Sequence, residues 1–107
     1  MKESSIEKRL VQQVRLLGYE ALKFVSPGTD GVPDRIVVGH GRVIFVELKT
    51  ETGRLSAIQK VQIRRLRKLG QDVRVLYGMP EVADFLDQLK EGDADEVRSA
   101  RLPEKGD

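Results

Sequence analysis

Residues 31–50 read GVPDRIVVGHGRVIFVELKT. Gly39-His40-Gly41 is a tight turn between two apolar runs, so the segment folds back on itself as two antiparallel strands, expected over Asp34–Val38 and Arg42–Thr50. The run Val43-Ile44-Phe45-Val46 is continuous rather than alternating, which predicts a strand buried on both faces at the sheet centre. Side chains alternate along a strand, so Glu47 and Lys49 share a face and Leu48 takes the other. The start of one strand lies beside the end of its hairpin partner, which brings Asp34 to Glu47, with Lys49 adjoining.

Upstream, Ile6, Leu10, Val14 and Leu17 recur at helical spacing and Gly18 follows as a stop, giving a helix over about Ser5–Leu17. Tyr19–Val25 reads as a strand, and residues 26–33, SPGTDGVP, as a loop dense in turn formers. Downstream, Ser56 opens a helix to Leu69 that Gly70 closes. Val73–Tyr77 is a further strand, and Pro80–Lys90 a helix with proline in its first turn. The order α-β-β-β-α-β-α implies an α/β fold, in which an antiparallel meander is extended by a crossover and helices flank a mixed sheet. Residues 91–107 lack periodicity and are rich in Glu, Asp, Gly and Pro; we expect one domain over 1–90 and a mobile charged tail over 91–107.

Two carboxylates and an ammonium at one sheet edge fit a site for Mg²⁺, which binds one or two carboxylates and retains several waters. Such an ion neutralises phosphate charge and lowers the pKa of a water, while Lys49 orients or deprotonates that water or stabilises charge on the phosphate. The competing reading makes Asp34 and Glu47 turn and strand-end residues with Lys49 as their surface partner. The helices bear on this choice. Glu7 falls inside the apolar stripe of the first, and Gln59 and Gln62 inside the stripe Leu55, Ile58, Leu66, Leu69 of the second. Inward polar groups need partners, and a metal site supplies them. Ser4-x-x-Glu7 and Ser56-x-x-Gln59 also match capping boxes, so cap and site remain open for both residues. Lys60, Arg64, Arg67 and Lys68 lie opposite that stripe, as either a solvated face or a phosphate-contacting one. His40 is the single histidine and reads as a turn residue; no nucleophilic triad can be built around it. Gly28 and Gly31 precede no helix, which argues against a nucleotide cradle.

The 107 residues contain no cysteine, which excludes disulfides and thiolate metal sites. No apolar run approaches a membrane span, and MKESSIEKRL has no signal-peptide core, so a cytoplasmic protein is expected. The formal charge of +2 is unevenly distributed: residues 1–90 carry 16 Lys/Arg and 11 Asp/Glu, whereas 91–107 carry 3 and 6. The body is therefore basic, which is compatible with nucleic acid.

Gly31-Val32-Pro33-Asp34, then Phe45-Val46-Glu47-Leu48-Lys49, then Leu55-Ser56-x-x-Gln59, with Glu7 upstream, resemble the VRR-NUC family, the virus-type replication-repair branch of the PD-(D/E)xK nuclease superfamily. The resemblance spans about residues 4–90. It implies a restriction-endonuclease-like core and Mg²⁺-dependent hydrolysis of DNA phosphodiesters, with Mn²⁺ as a substitute. It makes Asp34, Glu47 and the Leu48 carbonyl metal ligands, Lys49 the catalytic lysine, and Glu7 and Gln59 supporting residues. Similarity to minimal phage or bacterial members implies a homodimer acting on branched DNA such as Holliday junctions. The third helix, with Val82, Phe85, Leu86 and Leu89, offers one apolar stripe for a dimer; the other reading packs it on its own sheet. A nuclease of nicking or restriction type, or a binding module without turnover, are the alternatives.

Overall fold

The computed structural model describes the backbone of residues 2–100 and the side chains of residues 2–92. Its elements are α1 (Glu3–Leu16), β1 (Glu20–Lys23), β2 (Arg35–Gly39), β3 (Arg42–Lys49), α2 (Ala57–Lys68), β4 (Asp72–Tyr77) and α3 (Gly78–Ala100). The strands form one mixed sheet in the order β1-β2-β3-β4, antiparallel except for the β3–β4 pair, which is parallel. The expected α/β order and meander-plus-crossover topology are thus found. His40 (φ 50) and Gly41 (φ 75) turn β2 into β3, the pair of positive angles that suits a two-residue hairpin. The His40 ring donates through Nε2 to the Leu17 carbonyl at 3.0 Å and lies 4.8 Å from Tyr19, so this histidine ties the turn to the end of α1.

One face of the sheet carries the main core. Ile44, Val46 and Leu48 of β3, Val37 of β2 and Leu76 of β4 pack with Ile6, Leu10 and Val14 of α1 and with Val82, Phe85 and Leu89 of α3. The α1 stripe read from spacing is this packing surface. The α3 stripe also packs here: Val82, Phe85 and Leu89 are at most 1% exposed. Three of the four residues that offered a dimer stripe on this helix are therefore spent on its own core, and Leu86 is partly buried against the same core.

The opposite face is thinner. Helix α2 packs over β4, and Ile63 and Val73 are buried there. Two expectations change. The β3 run is buried on both faces only toward its end, because Val43 is 51% exposed where no helix covers it. The buried α2 stripe is centred on Ile63, leaving Ile58 and Leu69 exposed. Helix α3 runs past the expected stop at Lys90 to Ala100, so the expected tail begins with helical backbone; residues 101–107 lie outside the described residues.

Candidate active site

Asp34 sits directly before β2, held by a buried proline and two backbone hydrogen bonds. Pro33 is fully buried and fixes the entering backbone. The Asp34 carbonyl accepts from the Phe24 amide at 2.8 Å, and its own amide donates to Glu47 Oε1 at 3.3 Å. Both backbone groups are thus committed, one to the end of β1 and one to the acid on β3. This is the meeting of Asp34 and Glu47 that the hairpin reading expects.

Glu47 is buried at 1% exposure, the single charged residue in the core among the described residues. Its Oε2 accepts from Gln59 Nε2 at 3.1 Å and lies 3.6 Å from Lys49 Nζ. Gln59 also completes a capping box: Ser56 Oγ accepts from the Gln59 amide at 3.2 Å, and Gln59 Oε1 accepts from the Ser56 amide at 2.9 Å. The cap and site readings of Gln59 therefore coexist in one side chain, its oxygen tying off the helix and its nitrogen facing the acid. Gln62 is half-buried. Burial and the neighbouring Asp34 carboxylate push the Glu47 pKa from 4.5 up to about 7, against the opposing pull of Lys49 and the Asp34 amide.

Glu7 resolves differently. Its helix starts at Glu3 after Lys2, and no side chain caps that end, so the Ser4–Glu7 box does not form. Instead, Glu7 Oε2 accepts from Arg35 Nε at 3.0 Å, while Arg35 Nη1 donates to the Ala21 carbonyl at 3.1 Å. Arg35 pairs with Val46 across the β2–β3 ladder, which places it on the α1 side of the sheet, whereas Glu47 and Lys49 lie on the α2 side. The acids straddle the sheet end, with Asp34 between them. Glu7, Asp34 and Leu48 line a cleft of about 190 Å³ together with Glu3 and Lys23. Arg35 and Lys23 escape sequence reading because nothing local marks them; only the strand register places them here.

The donor set is all oxygen: the carboxylates of Asp34 and Glu47, with Leu48, whose carbonyl the family resemblance makes a further ligand, at the cleft wall. A desolvated carboxylate beside a second one is relieved by a cation, so these residues fit a hard divalent ion. Among the described residues no three acids or histidines converge on one point, so Asp34 and Glu47 form the pair and Glu7 stands apart on Arg35. A larger groove, about 330 Å³, lies between Arg67, Arg74, Glu81 and Asp84 and contains none of these acids.

The basic helix face is exposed as expected, at Lys60, Arg64, Arg67 and Lys68. Arg67 donates through Nε and Nη2 to the Val73 carbonyl at 3.2 and 2.7 Å, so its guanidinium is tied to β4. The shift of the buried stripe to Ile63 explains this, because Arg67 stands one turn beyond it.

In sequence and in fold the chain is similar to known proteins. A family model described as the VRR-NUC domain matches residues 3–80. A protein named "Putative nuclease p44", from Acyrthosiphon pisum secondary endosymbiont phage 1, is 48% identical over 77 residues, covering 71% of this chain and 83% of its own length. A solved VRR-NUC domain superposes with a TM-score of 0.75 at 28% identity, over 79% of this chain and 94% of that one. The Holliday junction resolvase Hjc of Archaeoglobus fulgidus superposes with a TM-score of 0.53 at 20% identity, over 72% of this chain and 69% of its own, a likeness of fold.

Proposed function

The chain belongs to the VRR-NUC domain family, and from that premise we propose that it is a metal-dependent endodeoxyribonuclease acting on branched DNA. The observation that carries this reading is the buried Glu47 carboxylate, shared between Asp34, Gln59 and Lys49 at one sheet end. Asp34, Glu47 and the Leu48 carbonyl are the groups that would hold Mg²⁺, which supplies charge neutralisation at the phosphate and a more acidic water. Gln59 fixes the Glu47 carboxylate through its amide. Lys49 presents its ammonium beside that carboxylate, where it orients the attacking water or stabilises charge on a non-bridging phosphate oxygen. Water adds to phosphorus as the opposite P–O bond breaks. Lys60, Arg64 and Lys68 supply exposed cations for the flanking backbone. A binding module would not require a buried acid to be kept beside a second one, a net cost to folding.

Incubation with labelled duplex, flap and four-way DNA tests this directly. Cleavage is expected with Mg²⁺ or Mn²⁺, little with Ca²⁺, which takes looser geometry and polarises water less, and none in EDTA. Activity that survives EDTA overturns the metal assignment.

Two symmetric cuts across a four-way junction call for two sites related by a two-fold axis, which a homodimer supplies. Support comes from Leu22 and Val43, which are 48% and 51% exposed on the sheet face that α2 leaves uncovered. The double substitution Leu22→Asp with Val43→Asp is expected to convert a dimer to a monomer in sedimentation, and paired nicks to single ones. A wild-type monomer at micromolar concentration removes the dimeric reading and leaves the nuclease one intact.

A further inference from the structure

We propose that Arg35 is a positioning residue that withholds the Glu7 carboxylate from the metal, so that each chain takes one divalent ion rather than two; this rests on the metal-dependent reading above. Three acids stand near the sheet end, Glu7, Asp34 and Glu47, and such a set has enough charge for a pair of ions. Their placement argues against a pair. The Glu7 carboxylate is engaged by Arg35 Nε at 3.0 Å, and the same guanidinium is anchored on its far side to the Ala21 carbonyl at 3.1 Å. The two side chains are only 16% and 28% exposed, so their attraction is poorly screened.

A second ion at Glu7 would have to displace that guanidinium, strand the Ala21 carbonyl and sit against a half-buried positive charge. Arg35 therefore occupies the place of a second cation. It also follows Asp34 directly in the chain. Its clamp between α1 and β1 consequently steadies the start of β2, from which Asp34 projects. Balanced this way, Arg35 answers Glu7 and Lys49 answers Glu47. The charge left over suits a single divalent ion together with one DNA phosphate.

Mn²⁺ binding, measured by calorimetry and by the free-ion spin-resonance signal at pH 8.5, reads the count without reference to activity. Wild type is expected to bind one ion per chain. Glu7→Gln, which still accepts from Arg35, is expected to keep one ion with Kd changed by no more than about threefold. Arg35→Met is expected to admit a second ion, and Arg35→Met with Glu7→Gln to return to one. Arg35→Lys keeps the charge and is expected to remain at one. Two ions in wild type, reduced to one by Glu7→Gln, overturn the proposal while leaving the metal reading standing. So does a folded Arg35→Met that stays at one ion. If Arg35→Met fails to fold, Glu7→Gln decides: a loss of more than about tenfold in Mn²⁺ affinity makes Glu7 a ligand and overturns it. Absence of binding by wild type overturns instead the metal-dependent reading, and the inference falls with it.

Discussion

Lys49→Ala is expected to lower single-turnover cleavage by about 10²–10⁴-fold, the range found when a positioned proton-transfer or charge-stabilising group is removed, while the chain still binds Mn²⁺ at pH 8.5. The two halves of this result follow from one geometry. Lys49 Nζ is 3.6 Å from Glu47 Oε2 and is not itself an oxygen donor, so its loss removes no ligand. It does remove a charge that lowers the Glu47 pKa. The variant's Glu47 therefore holds its proton to higher pH, and Mn²⁺ affinity at neutral pH is expected to fall even though the ligands are intact. Raising the pH restores binding and leaves cleavage lost. Asp34→Ala behaves differently: metal affinity and cleavage disappear together at every pH. Calorimetry across pH 6–9 on both variants separates the roles, and Lys49→Ala that cleaves at the wild-type rate returns Lys49 to a surface partner of Glu47.

The parts of the site that could be read from sequence are those set by short-range periodicity. The two-residue alternation places Glu47 and Lys49 together, the Gly39–Gly41 turn brings Asp34 back to them, and Ser56-x-x-Gln59 marks both a helix start and a residue that reaches Glu47. What escapes is set by register or phase across distance. Glu7 and Arg35 are 28 residues apart and meet only because α1 crosses the α1-side face of β2. The same tertiary contact engages the carboxylate that a capping box would use. Arg67 lies on the exposed face that the stripe Leu55, Ile58, Leu66 and Leu69 predicts, but the spacing does not reveal that Ile63 is the buried residue of α2 or that the Arg67 guanidinium reaches the Val73 carbonyl. The length of α3 escaped because residues 91–100, EGDADEVRSA, look like a tail by charge, yet most of them are tolerated in a helix.

Glu47→Gln is expected to destroy cleavage and to stabilise the metal-free fold at pH 8. The sign comes from linkage. The Glu47 pKa is pushed up from 4.5 to about 7 in the folded chain. Below pH 4.5 both states carry the proton and no difference arises. Between 4.5 and 7 the unfolded chain releases it while the folded chain keeps it, so folding stability falls as pH rises. Above 7 the folded chain also ionises and the loss is complete. Its ceiling is about 3 kcal/mol, from about 1.4 kcal/mol per pKa unit, and the 2% exposure of the side chain leaves little solvent screening to reduce it. Metal-free wild type is thus expected to lose Tm between pH 5 and pH 7.5, by several degrees for a domain of this size, and saturating Mg²⁺ to recover it by binding only the folded, ionised form. Glu47→Gln removes the titrating group. Part of the gain is offset because a glutamine cannot accept from both Asp34 and Gln59 as the carboxylate does, but the pH slope itself disappears, and so does the Mg²⁺ recovery. Scanning calorimetry of both proteins in EDTA and in Mg²⁺ at pH 5, 6, 7 and 8 provides the test. A wild-type Tm that rises over this range would mean Glu47 is not held protonated by its burial, and a variant less stable than wild type at pH 8 would make the acid a structural residue rather than one kept at a cost to folding for the chemistry at Asp34 and Lys49.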